Sequence, residues 1–385
     1  MLRHIIKLIW KKKKSNFLMM LEIFVSFLIL FAVWSLGIYT YRNYTTPTGL
    51  SVEPVWVVYL DFNTDNDTAW AQNRELVRQH LKGLREVTNF SFASSNIPFG
   101  FSSSNREYSY QGKSTISDAV FVEEDYPNVM SMTLQSGRWF TAQDTIGGAR
   151  PVVITQQMAT TLFGQEDPVG KSLGTDSDRT KVVGVVPYYR HKSSFQSVEN
   201  CVFAPLEPSN SELLLKVTPE ATPEFEARLA RSLQALGKDW TVEIQHMDNM
   251  RSTQDQTIVI PILILFIICG FLVFNVGLGL FGVLFQNINR RKGEIGLRRA
   301  IGATRKQILS YFIGETVVIA GFGLLLGLFF AIQLPLLRVF DVAAAVYVWG
   351  MVLALLSVVA IAVICAFYPS RQAANIYPAV ALHEE

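Results

Sequence analysis

Polar and apolar positions follow two different regimes along this chain. Four stretches are apolar for longer than a strand or a core helix requires: Phe17 to Tyr41, Ile258 to Phe285, Ile308 to Leu337 and Val346 to Tyr368. Glu22 is the one charge in the first and Glu315 the one charge in the third, and the other two have none. Each exceeds the roughly 20 residues that let a helix cross about 30 Å of hydrocarbon. The second is long enough to tilt or to project as a stalk. Between the first two stretches the pattern shortens. Val55 to Leu60, Pro151 to Ile154, Lys181 to Val186 and Trp240 to Gln245 read as strands, and Ala69 to Glu86 as a helix. Another helix starts at Thr222-Pro223-Glu224, with an N-cap, a first-turn proline and a first-turn acid, and runs to Gly237 as its C-cap. Residues 247–257 run straight into the second stretch.

This pattern predicts a membrane protein: four transmembrane α-helices, with a large α+β domain inserted between helices 1 and 2. Composition agrees, with 50% hydrophobic and 17% charged residues and a mean hydropathy of +0.25; soluble domains carry about a quarter charged residues. Disorder is excluded by the apolar fraction. Charge is segregated: residues 43–256 hold 18 basic and 26 acidic side chains, whereas the rest of the chain is basic. The basic residues flank apolar spans instead of lining a folded face, which disfavours a nucleic-acid binder.

Orientation follows from those residues. Arg3, Lys7 and Lys11 to Lys14 precede the first span; Arg290, Arg291, Lys292, Arg298, Arg299, Arg305 and Lys306 lie between spans two and three, opposed by Glu294. The loop after span three has only Arg338 and Asp341. The positive-inside rule therefore puts both termini and the second loop in the cytoplasm of a multi-pass membrane protein. The expected layout is a cytoplasmic leader (1–16), span one (17–41), an extracytoplasmic domain (42–256), span two (257–286), a cytoplasmic loop (287–307), span three (308–337), a short outer loop (338–345), span four (346–368) and a cytoplasmic tail (369–385). The leader is a short amphipathic helix on the inner leaflet, with Leu2, Ile5, Ile6 and Ile9 on one face, or a plain topogenic sequence. Span one is too long for a signal-peptide core, lacks an Ala-x-Ala-like site, and ends in Tyr39, Tyr41 and Tyr44, so it reads as a retained anchor.

Several motifs tempt and fail. Gly164 to Ser172 imitates a phosphate loop but has five residues between its glycines where four are needed, and Pro168 removes an amide. It reads as a turn before a strand. Gly277-x-Gly279-x-x-Gly282 satisfies the dinucleotide fingerprint, yet it lies inside an uncharged span with no preceding strand. Gly277, Gly323 and Gly327 read as helix-packing positions, with lipid-facing glycine as the alternative. Asp176-Ser177-Asp178 reads as a solvated turn. His4, His80, His191, His246 and His383 show no metal-ligand spacing. No nucleophile signature is present, so neither a catalytic nor a metal site is expected. Cys201 is the single cysteine outside the spans, so the outer domain has no disulfide of its own. Glu22 and Glu315 are costly intramembrane charges. Both lie near cytoplasmic span ends, and an ion pair with Arg298, Arg299 or Arg305, or interfacial snorkelling, is favoured over a substrate or proton site.

The second loop, Arg290 to Leu309, contains Glu294-Ile295-Gly296-Leu297-Arg298-Arg299-Ala300-Ile301-Gly302-Ala303. This resembles the cytoplasmic signature of MacB/FtsX-like ABC transporter permeases, the type VII or mechanotransmission group. The C-terminus, Tyr368-Pro369 to Leu382, is similar to that family's closing pattern. Gly137-Arg138-Trp139-Phe140 with Asp144, and Leu162-Phe163-Gly164 followed by Asp167 to Lys171, are similar to segments of its MacB-type periplasmic core domain. The resemblance implies a permease subunit without a fused ATPase and not itself an enzyme. It needs no cofactor of its own, because ATP and Mg belong to a partner ATPase chain. It implies a coupling helix over 290–304 that docks in the ATPase. There Glu294, Ile295, Gly296, Leu297, Arg298, Arg299, Ala300, Gly302 and Ala303 supply apolar contact, charge and close approach. A second permease copy or paralogue is implied, as homo- or heterodimer, and a periplasmic adaptor and outer-membrane channel would complete an efflux assembly. The expected work is mechanotransmission that exports a peptide, drug, toxin or lipoprotein from the periplasmic side. The alternative is an FtsX-like scaffold that activates an envelope hydrolase without moving cargo.

Overall fold

The computed structural model describes residues 13–64, 66–174, 180–206, 211–337 and 342–375. The leader helix proposed over residues 1–14, Asp176-Ser177-Asp178, Arg338 with Asp341, and the end of the tail from residue 376 lie outside the described residues, wholly or nearly so. The chain separates into a helical unit (1–42 and 261–385) and a sheet unit (43–260).

Helix α1 (Lys13–Thr45) leads into the sheet unit. There follow strand β1 (Val55–Asp61), helix α2 (Asp67–Lys82), β2 (Val87–Ala93), β3 (Asn105–Tyr110), β4 (Lys113–Val122), a short α3 (Tyr126–Val129), β5 (Ser136–Gly137), β6 (Arg150–Thr155), α4 (Gln156–Phe163), β7 (Ser172–Leu173), β8 (Thr180–Val186), β9 (Cys201–Pro205), β10 (Glu212–Val217), α5 (Pro223–Gln234) and β11 (Thr241–His246). Helix α6 (Met247–Asn289) leaves this unit, and α7 (Lys292–Ala300), α8 (Arg305–Ala331), α9 (Gln333–Leu336) and α10 (Ala344–Ala374) complete the chain.

The strands form one mixed sheet in the order β11-β1-β10-β2-β4-β9-β6-β8-β5, with β3 on β4 and β7 on β8. Neighbours are antiparallel except β4 with β9 and β6 with β8. β1 is apolar at nearly every position because both its faces are covered. Val55 and Val57 enter one core with Phe99, Val120 and Phe203, while Trp56, Val58 and Leu60 pack under α2 and α5. Phe62 sits between Trp70 and Trp240, with ring centroids 4.3 and 4.5 Å away. The sheet is pinched in the middle: β2 and β4 share a single register pair, Ala93 with Val122. It is therefore two lobes, one under α2 and α5 and the other against α4.

Two details differ from the sequence reading. The first helix of the unit ends at Lys82, four residues before Glu86, with Gly83 as its C-cap. Thr222 does cap α5, its hydroxyl accepting from the Phe225 amide, but the helix stops at Gln234 instead of Gly237. Gly237 has a different reason to be small, because a Cβ there would overlap the Trp240 ring.

Among the described residues four helices are long and apolar enough to cross a membrane: α1, α6, α8 and α10. α6 is 43 residues long, about 64 Å at 1.5 Å per residue. That is twice a hydrocarbon core, and it includes 247–257 as the sequence suggested. Within the helical unit Met19, Ile23, Phe27 and Phe31 of α1 pack against Ile319, Ala320 and Leu324 of α8 and Tyr347, Ala354 and Val358 of α10.

Candidate functional site

The segment with the strongest sequence signature folds into a helical elbow. α6 ends at Asn289, Arg291 stands at the N-cap of α7, and α7 ends at Ala300. The Ala303 amide donates to Arg298 O at 3.0 Å and the Gly302 amide to Arg299 O at 3.1 Å, the two bonds that close a Schellman motif. The motif needs a left-handed residue, and Gly302 has φ +103°. Thr304 then starts α8 with a capping box: its hydroxyl accepts from the Gln307 amide, and the Gln307 side chain accepts from the Thr304 amide. The run Ala300-Ile-Gly-Ala-Thr-Arg-Lys-Gln is thus a helix stop joined to a helix start. Gly302 and Ala303 serve the corner.

One side chain anchors the elbow. Arg291 is 9% exposed. Its Nε donates to Glu294 Oε2 on α7 at 2.9 Å and its Nη1 to Glu315 Oε2 on α8 at 2.8 Å. The guanidinium lies 5.4 Å from the Phe312 ring centroid. Arg298 donates to Glu294 Oε1 at 2.5 Å and sits 4.5 Å from the Tyr311 ring centroid. The sequence reading paired Glu315 with Arg298, Arg299 or Arg305, and this needs correction: its partner is Arg291. Arg291 reaches Glu315 because the turn after α6 delivers it to the inner face of α7, whereas Arg305 and Lys306 point outward at the start of α8.

The residues expected to dock divide between two faces. Ile295, expected on the docking face, is 2% exposed and packs with Ile288, Ile308, Phe312, Ala373 and Ala374. Gly296 is buried too. Both belong to the elbow's own core, because the face of α7 that they share is the one turned to α8 and α10. Leu297 at 53% and Ile301 at 78% are exposed, as are Ala300, Arg290, Arg305 and Lys306, while Arg298 and Arg299 lie at the edge. An apolar pair within a basic rim is what remains on the surface.

Deeper in the helical unit, Glu22 of α1 lies against Gly279 of α6, where a Cβ would overlap its carboxylate. Among the described residues no donor reaches that carboxylate. Gly323 and Gly327 of α8 face α1: a Cβ on Gly323 would stand 2.8 Å from Met20 O, and one on Gly327 would overlap the Phe27 ring. Gly277 is looser, its added Cβ meeting Cys365 Sγ at an ordinary 3.7 Å.

In the sheet unit, Asp118, His191 and Glu199 bring ligand-type atoms within 4.8 Å of one another, a cluster that spacing in sequence conceals. A cation bridges its two carboxylates: Lys192 Nζ lies 2.9 Å from Asp118 Oδ2 and 2.5 Å from Glu199 Oε2. Burial alone would raise the Asp118 carboxyl, but the His191 ring and the Lys192 ammonium outweigh it and hold the group well below the usual carboxylate range. Asp118 Oδ1 is buried without a hydrogen-bond partner among the described residues. The false phosphate loop is a turn: Gly164 ends α4 at φ +66°, Lys171 pairs with Glu166, and β7 follows. Arg138 grips Asp144 with two bonds at 2.5 and 2.7 Å, and with the Thr141 amide it holds that carboxylate below its usual range.

Two family models together match most of the chain. Residues 17–232 match the MacB-like periplasmic core domain and residues 257–378 the FtsX-like permease C-terminal domain. An uncharacterized ABC transporter permease, YknZ of Bacillus subtilis (strain 168), is 24% identical over 329 residues, which is 82% of this chain and 81% of that protein. A macrolide export ATP-binding/permease protein, MacB of Bordetella avium (strain 197N), is 27% identical over 281 residues, 69% of this chain. The chain spans 42% of that relative's length. Among solved structures, the extracellular domain of the noncanonic ABC-type transporter YknZ from Gram-positive bacteria aligns with a TM-score of 0.35 at 18% identity, covering 49% of this chain and 99% of that one. The periplasmic region of MacB from Actinobacillus actinomycetemcomitans aligns with a TM-score of 0.38 at 17% identity, covering 55% and 97%.

Proposed function

We propose, from the premise that the chain belongs to the MacB/FtsX-like family of ABC transporter permeases, that it couples a separate cytoplasmic ATPase to movement of its sheet unit across the membrane. In this reading the sheet unit is extracytoplasmic, inserted between the first and second spans of an inner-membrane protein, and both termini are cytoplasmic. ATP and Mg are bound by the partner, and this chain performs no chemistry.

The observation that carries the reading is the elbow. Leu297 on α7 and Ile301 at its C-cap are exposed while the opposite face of that helix is buried, and Arg291 ties the helix to α8. A docked ATPase would therefore push on a stiff element, and the basic rim suits an acidic groove. The most apolar window of α6 has no residue buried within the chain, which suits a second permease copy. The cargo is a peptide, drug, toxin or lipoprotein taken up from the periplasmic side, with an adaptor and an outer-membrane channel completing the assembly.

The test is substitution of Leu297 and Ile301 together by Asp in the full chain, followed by purification from native membranes. Membrane insertion and melting should be unchanged, while the co-purifying ATPase falls at least tenfold. Undiminished ATPase recovery would refute docking at this elbow. Recovery of an envelope hydrolase in place of an adaptor would move the reading to the signalling scaffold.

A further inference from the structure

The segment between β8 and β9 has the composition of a surface loop, yet it is pinned from end to end. Arg190 is 3% exposed and sits at the C-terminal end of α1. Its Nη1 donates to Asn43 O at 2.5 Å, to Gln196 O at 3.1 Å and to Ser194 O at 3.2 Å, and its Nη2 donates to Thr46 O. Carbonyls in the last turn of a helix have no partners within the helix, and a cation placed there also suits the helix dipole. Asn43 Nδ2 returns a bond to Phe195 O at 2.9 Å, and Tyr44 stacks on Phe195 with centroids 5.3 Å apart.

The same loop grips the beginning of α6. Asp255 Oδ1 accepts from Ser193 Oγ at 2.7 Å and from the Ser194 amide at 2.8 Å, while Arg251 Nε donates to Ser194 Oγ at 2.9 Å. Ser193 and Ser194 are each 1% exposed. The residues between these two grips hold the sheet: Lys192 bridges Asp118 of β4 and Glu199 just before β9, and β4 and β9 are paired through Asp118 and Cys201. Seven consecutive residues, 190–196, thus join the ends of two helices to one pair of strands.

We propose that residues 190–196 form a clasp through which displacement of α1 and α6 reaches the sheet unit, with Arg190 and Asp255 as its positioning residues. Cutting either grip would remove that helix's link through this loop to β4 and β9, while its own chain continuation still joins it to the sheet. This rests on the mechanotransmission reading above, and its test separates the two. The full permease, with Cys201, Cys269 and Cys365 replaced by alanine and a spin label at Ser103→Cys, is reconstituted in nanodiscs with its co-purified ATPase. Label-to-label distance between the two permease copies is measured with and without ATP, alongside ATP turnover.

R190A and D255A should each reduce the ATP-dependent distance change at least threefold, with ATP turnover within twofold of the parent. D255N, whose Oδ1 still accepts from Ser193 and Ser194, should restore most of the change. Should R190A fail to fold, D255A decides alone. A distance change of parental size in D255A, or a loss of turnover in parallel with the distance change, would overturn the clasp. No ATP-dependent change in the parent itself would instead overturn the mechanotransmission reading.

Discussion

Replacing Arg291 by Met and Glu315 by Gln, singly and together, measures how firmly the elbow is tied to α8. Removing one member of a fully buried ion pair costs about 3–5 kcal/mol, and an exposed pair contributes only about 0.2–1 kcal/mol. With side chains 9% and 19% exposed, this pair falls between those limits. The two singles should also be unequal. Glu315→Gln leaves Arg291 still bonded to Glu294, so its cost is about 1 kcal/mol. Arg291→Met strands Glu315 half-buried, with no second cation bonded to it among the described residues, for about 2 kcal/mol. The double variant removes both charges and should cost less than the sum by at least ~1 kcal/mol. The assay is reversible unfolding of the full chain in mixed micelles, read as a double-mutant cycle. Additivity within ~0.4 kcal/mol, or equal costs for the two singles, would falsify the claim that Arg291 holds the elbow through Glu315.

Glycines that look alike in sequence should behave differently. Gly327→Val drives a side chain into Phe27 and should lower the melting temperature of the full chain by several degrees, whereas Gly277→Ala, with its nearest neighbour at 3.7 Å, should leave it unchanged; equal effects would refute the packing argument. Glu212 on β10 is half-buried, and burial pushes its carboxyl up to about 7 from the usual 4.5. The group is protonated in both folded and unfolded chains below pH 4.5 and costs nothing there. Between pH 4.5 and 7 the unfolded chain gives up its proton first, so a penalty grows and then stays constant above pH 7. After allowance for partial exposure, Glu212→Gln should stabilise the protein by about 1–2 kcal/mol at pH 8. That gain should vanish in thermal melts at pH 4, and a gain of equal size at both values would contradict the assignment.

The membrane spans were legible because lipid tolerates so few exceptions: one charge in 25 residues is a stronger signal than any soluble periodicity. The corner at Gly302 was legible as a signature, but its meaning depended on backbone geometry that letters do not carry, the positive φ that makes glycine a helix stop. Arg291 was hidden for the opposite reason. Seven basic residues crowd the loop, and only the turn after α6 decides which of them faces inward. Ile295 shows the same limit on a nine-residue helix, where hydrophobicity marks residues for contact without saying whether the neighbour is α8 or another protein. Strands β1, β6 and β8 were plain from local runs. The pairing of β4 with β9 and the meeting of Asp118 with His191 and Lys192 arise from contacts more than 70 residues apart in the chain, which no local pattern encodes.

The position of β1 in the sheet has a consequence for how the protein is made. Its neighbours are β10 and β11, which begin at Glu212 and Thr241. During synthesis at about 5–20 residues per second, β1 therefore waits on the order of 10–40 s for the strands that cover its edges. Throughout that interval Val55-Trp56-Val57-Val58-Tyr59-Leu60 is a charge-free run of strong strand formers with both edges open. A nascent chain halted between residues 61 and 212 should aggregate or recruit a holding chaperone, and one halted past residue 246 should not.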